Sequence, residues 1–110
     1  MANTFKNSIT GSIGTTGVTV YTCPASTSTT VIGMSVANVT TNNITVSTTL
    51  TSTSQAKTVY LVKDATVTAG GTAILVGGEQ KIVMSALDTL TVISSTATSA
   101  DVIVSVLEIS

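Results

Sequence analysis

Apolar and polar residues alternate with a period of two along most of the chain. Between Thr16 and Cys23, Val18 and Val20 alternate with Thr19 and Tyr21, and between Thr30 and Val39, Ile32, Met34 and Val36 fall on one face, opposite Val31, Gly33, Ser35 and Ala37. Asn43 to Thr51 sets Ile44, Val46 and Leu50 against Thr45, Ser47, Thr49 and Thr51. The series continues at Thr58 to Lys63, Thr72 to Val76, Gln80 to Met84, Asp88 to Ile93 and Asp101 to Ile109. Successive side chains of a strand leave opposite faces, so this period predicts strands. Asn42-Asn43, Ala69-Gly70-Gly71, Gly77-Gly78 and Ser85-Ala86-Leu87-Asp88 punctuate the runs with residues suited to reversals. In the last of these, the Asp88 carboxylate can bond back to the turn backbone. The spacing predicts an all-β fold: a single antiparallel β-sandwich of about eight strands, jelly-roll or immunoglobulin-like.

Both ends depart from the alternation. Met1 to Gly17 scatters Phe5, Ile9 and Ile13 among Asn and Gly, a pattern that suits neither a helix nor a long strand. It reads as an extended N-terminal arm over residues 1–15, lying across the sandwich of residues 16–110 or reaching a neighbour. The closing run from Val102 to Ile109 is apolar on both faces, so one side meets the core and the other meets a loop, the arm or another subunit. The residues expected at an interface are therefore Phe5, Ile9, Ile13, Val102, Val104, Val106, Leu107 and Ile109.

Composition sharpens that expectation. Only 8% of the 110 residues are charged and 43% are hydrophobic, with 24 Thr and 14 Ser supplying polarity without charge. A lone small domain ordinarily carries more charge to stay soluble, whereas a subunit whose faces meet neighbours needs less. Net charge is -1, with four Lys, no Arg and three aromatics, which provides neither the basic footprint nor the stacking platform of a nucleic-acid binder. No apolar run reaches the ~20 residues of a membrane helix, and Met1 to Gly17 lacks the form of an export signal. Synthesis as a soluble cytosolic product, without membrane contact, is expected.

The inventory for chemistry is thin. With no His and one Cys, neither a His-based nucleophile relay, a zinc finger nor an internal disulfide can be built. Cys23, beside Pro24, reads as a small apolar residue at a strand end. Asp64, Glu79, Asp88, Asp101 and Glu108 are dispersed, Lys63-Asp64 reads as a solvated pair, and Glu79, Lys81 and Asp88 could form a surface ion pair. The triplets Asn38-Val39-Thr40 and Asn43-Ile44-Thr45 match the glycosylation pattern by chance in so Thr-rich a chain. No catalytic residue, cofactor or metal is expected, and the chain is read as a non-enzyme.

Several segments together resemble a small virion structural protein of tailed bacteriophages, especially those infecting marine cyanobacteria. They are Met1 to Asn7, Val20 to Ala25, Val31 to Asn38, Val59 to Ala65, the Ala69-Gly70-Gly71 turn, Val76 to Val83 and Val104 to Ile109. The pattern departs at Ser85-Ala86-Leu87-Asp88, where a Gly before Asp88 is expected, and at Thr66-Val67-Thr68, where prolines are expected. The resemblance implies a virion component. The leading expectation is a capsid decoration or cement protein on the exterior of a phage head, binding the major capsid protein as a homo-oligomer such as a trimer. The alternatives are a neck, tail or fibre component, or a glycan-binding adhesin module, for which Phe5, Tyr21 and Tyr60 are too few and too dispersed.

Overall fold

The computed structural model describes residues 3–77 and 81–110. Its strands are β1 (Asn3–Ile13), β2 (Val18–Thr22), β3 (Ser28–Asn38), β4 (Ile44–Ser52), β5 (Lys57–Val67), β6 (Thr72–Val76), β7 (Ile82–Met84), β8 (Thr89–Ser94) and β9 (Ala100–Ile109). One sheet runs in the order β1-β9-β3-β6, with β7 also on β3, and the other runs β2-β8-β4-β5. Every pairing is antiparallel. Consecutive strands mostly change sheet, and this order is that of a jelly roll, the first of the two sandwich types the sequence allows.

Val, Ile and Thr fill these strands because their branched side chains pack well on a pleated surface. Between the sheets lie Val20, Met34, Val36, Val46, Met84, Leu90, Val92, Val102, Val104 and Val106, all buried. The eight expected strands are all present, although Gly78, Glu79 and Gln80 of the expected Gly77-Gly78 turn and Gln80 to Met84 run lie outside the described residues, as do Met1 and Ala2.

Two expectations are corrected. Asn3–Ile13, read as an arm unsuited to a long strand, is an 11-residue strand. It pairs with β9 in unbroken register from Asn3 opposite Ile109 to Thr10 opposite Val102. Thr and Ser at its alternate positions accept the extended backbone, and β9 supplies the ladder that such a segment lacks alone. In β3, Ile32 does not share the core face with Met34 and Val36. The register against β9 slips between Val31 and Gly33, so Val31 joins the core and Ile32 is only half-buried. One extra residue in a strand reverses the facing of everything before it.

The turns are held by side chains as well as by backbone. Gly70 has φ 69° and the Gly71 amide donates to the Thr68 carbonyl (2.8 Å), closing the link from β5 to β6. The Asp88 carboxylate accepts the amides of Ser85 and Thr53, each at 3.0 Å. Its bond to the turn backbone is thus as expected. Its place in a surface ion pair is not, since the side chain is buried; Glu79 lies outside the described residues.

Candidate functional site

On β9 the alternation separates two roles that the sequence merges. Val102, Val104 and Val106 point between the sheets and are fully buried, as is Ile13 at the end of β1. These four belong to the core and are removed from the interface set. Asp101, Ile103, Ser105, Leu107 and Ile109 point the other way, onto the outer face of the five-stranded sheet.

The pairing registers fix what lies beside them. Phe5 stands opposite Leu107, Leu107 opposite Thr30, and Thr30 opposite Val83, giving one row across the sheet. Ile9 stands opposite Ile103, Ile103 opposite Ser35, and Ser35 opposite Ile74, giving a second. Between them Asn7, Ser105 and Gly33 form a row of shorter side chains, and the half-buried Ile32 of the bulge lines the depression beside Asn7 and Ser105. Two shallow, open depressions sit on this trough and share Ser105 in their lining. Exposure is high along the ridges: 75% for Phe5, 71% for Ile9, 69% for Ile74, 70% for Val83 and 47% for Ile103. Leu107 and Ile109 are half-buried. Of the outward positions on these strands, Asp101 alone among the described residues carries a charge, at one end of the face.

Scattered exposed apolar residues are ordinary; two rows aligned across one sheet face, each broken by a hydroxyl residue (Thr30, Ser35), make this face the candidate interaction surface. Phe5, Ile9, Leu107 and Ile109 of the expected set meet here. Ile74, Val83 and Ile103 were not in that set, and for Ile103 the signal was available: once alternate Val residues are given to the core, the intervening positions must face outward.

The polar groups are engaged in holding the fold. Tyr21 of β2 donates its hydroxyl to Glu108 Oε2 of β9 (2.6 Å), and Lys6 Nζ of β1 lies 3.0 Å from Glu108 Oε1. Thr29 of β3 reaches the Tyr21 hydroxyl at 2.9 Å. Burial, with the adjoining Glu108 carboxylate, pushes the Tyr21 phenol well above its ordinary value. The bond from Tyr21, with help from Lys6, holds Glu108 below the usual carboxylate range despite its burial. The group ties the two sheets together. Cys23 is fully buried with Sγ 3.3 Å from the Thr27 carbonyl and 3.2 Å from the Thr29 hydroxyl, as a small apolar filler would be.

Asn38 is buried and its amide donates to the carbonyls of Asn42 (2.7 Å) and Val67 (3.0 Å), which leaves no free nitrogen for a glycan. Asp64 lies within β5 at a positive φ of 53°, its amide donating to Ser47 Oγ (2.9 Å), while Lys63 Nζ lies 5.5 Å from the Tyr60 ring centre. No cluster of three or more metal-ligating side chains occurs among the described residues. A depression at the Ile109 end, lined by Ser26, Thr27, Ser28 and Ala86, has no ionisable side chain.

No protein-family model matches the chain, and no curated protein matches it. Among solved structures it is similar to a Bacillus endospore appendage protein, of a family that forms disulfide-linked pili. The TM-score is 0.53 at 13% identity, over 96% of this chain and 86% of that one. At that identity the likeness concerns the fold.

Proposed function

We propose that this chain is a structural subunit whose work is to bind other protein subunits, and that it serves as a decoration or cement protein on the exterior of a phage head. The observation that carries the reading is the outer face of the five-stranded sheet, where Phe5, Ile9, Ile74, Val83 and Ile103 stand exposed in two cross-strand rows. Covering such rows releases water from apolar surface, at about 25 cal/mol per Å². A subunit that binds only the assembled shell shifts the assembly equilibrium toward it by mass action, and many weak contacts suffice. Jelly rolls occur in viral capsid and lectin domains alike, so the fold is compatible with the reading without selecting it. The phage assignment rests on the sequence resemblance.

The test is stoichiometry. Quantitative protein analysis of purified particles is expected to show this chain at a copy number commensurate with the major capsid protein. A number far below it, of the size of a single ring, overturns the decoration role and favours a neck, tail or fibre component.

The likeness to a pilus subunit favours a second reading, a subunit of a filamentous appendage. The pili of that neighbour are disulfide-linked. Here the one cysteine, Cys23, is fully buried, so a filament of this folded chain would be held by non-covalent contacts.

A further inference from the structure

We infer that the outer face of the β1-β9-β3-β6 sheet is a self-complementary surface that stacks on the same face of a second copy about a two-fold axis. This rests on the reading of the chain as an assembling subunit and names a second copy, rather than the shell, as what covers this face, so that the shell is met by another part of the dimer.

Three features favour a second copy as the occupant. The first is charge. Only Asp101, at one end, is charged on the outward positions of these strands among the described residues, and the exposed Lys81 directly precedes β7 at the sheet edge, so two copies meet with little like-charge repulsion.

The second is relief. A two-fold axis lying across the strands, midway between the Leu107 and Ser105 rows, places each bulky row over the other copy's trough. Phe5 then rests on the second copy's Asn7, Leu107 on its Ser105 and Thr30 on its Gly33 and the adjoining Ile32, while Ile103 meets its Ile109. The symmetry repeats every contact, as an isologous interface requires. Asp101 falls beyond the end of the overlap and stays in water. Moving the axis one row toward Ile103 would press Leu107 onto the second copy's Asp101 and strip water from a carboxylate, which is costly. The relief therefore selects one register.

The third is area. In that register the overlap runs from Ile103 to Ile109, so four strand positions spaced about 4.8 Å apart and seven residues at about 3.3 Å each make a footprint of about 19 by 23 Å. That is roughly 900 Å² over two copies, the size of a weak, reversible contact. Two aligned sheets would stack at about 10 Å, the spacing of a sandwich layer.

The test uses the full chain in solution. Sedimentation equilibrium is expected to give twice the 11.0 kDa chain mass, falling to the monomer mass on dilution. The paired substitution Ile9→Lys and Ile103→Lys, at exposed positions, is expected to give a monomer with unchanged circular dichroism. A chain that is monomeric at the highest concentration reached, or a dimer indifferent to these lysines, overturns the inference.

Should the lysine variant not fold, a second variant decides. Ser105→Cys alone is expected to yield a cross-linked dimer with a short bismaleimide, since Cys23 is inaccessible, whereas Val59→Cys on β5 is expected to yield none. No cross-link, or equal cross-linking at both places, counts against the stacked face. The two readings separate cleanly. A monomer found at capsid-like copy number on particles sinks the stacking and leaves the decoration role, and a dimer present in few copies does the reverse.

Discussion

Tyr21 and Glu108 meet across the two layers of the sandwich, the phenol of β2 donating to the carboxylate of β9 at 2.6 Å. Each alters the other. Glu108 is held below the ordinary carboxylate range, so its contribution to stability is complete above the unfolded value of about 4.3 and is lost as pH falls through the lower folded value. Tyr21 is raised, so its contribution is complete below about pH 10 and declines as pH rises beyond that. Thermal unfolding across pH is expected to show both flanks. Glu108→Gln should flatten the acid flank and Tyr21→Phe the alkaline one, and unchanged flanks would contradict the coupling. Lys6 is half-exposed at its end of the group, so Lys6→Met is expected to cost at most about 1 kcal/mol.

Neighbouring residues of β9 should respond oppositely to the same change. Val104 is fully buried and Ile103 is 47% exposed. Val104→Asp places an unpaired carboxylate between the sheets and is expected to prevent folding, because burying such a charge costs at least several kcal/mol. Ile103→Asp should leave the unfolding midpoint within about 0.5 kcal/mol of the parent in conditions where the chain is monomeric. Urea titration of both variants is the measurement, and similar losses at the two positions would reverse the assignment of faces.

Thr48 offers a stabilising change. Its hydroxyl is fully buried and has no hydrogen-bond partner among the described residues. An unsatisfied buried hydroxyl carries its desolvation cost uncompensated, so Thr48→Val is expected to raise stability by about 1 kcal/mol. A lowered urea midpoint would mean that the hydroxyl is satisfied.

Asp88 is the anchor of the turn before β8. Replacing it by Ala removes at once two part-buried hydrogen bonds, from the amides of Ser85 and Thr53, and a loss of about 2–3 kcal/mol is expected. Asp88→Asn keeps one acceptor oxygen and should recover part of it. Equal losses in the two variants would show that packing, rather than hydrogen bonding, holds the turn.

The strands were legible because their signal is local. Thr72–Val76 is found at the predicted bounds, and Leu90 and Val92 of β8 face the core as a period of two requires. What escaped was whatever depends on partners distant in sequence. β1 has no strong strand signal of its own and is extended because β9 lies beside it. The slip between Val31 and Gly33 is set by register against β9, which no window on β3 reveals. The candidate surface was half legible for the same reason. Phe5 and Ile9 could be named from the apolar scatter, but their alignment with Leu107 and Ile103, and through Thr30 and Ser35 with Val83 and Ile74, is a property of the sheet order.

In the proposed assembly the outer face of the β1-β9-β3-β6 sheet is covered by protein. A cryo-electron microscopy map of the assembled particle tests it most directly. Phe5, Ile9, Ile74, Val83 and Ile103 are expected to pack against another polypeptide, with Asp101 at the wet margin. A map in which those side chains face open solvent while the subunit attaches elsewhere would contradict it.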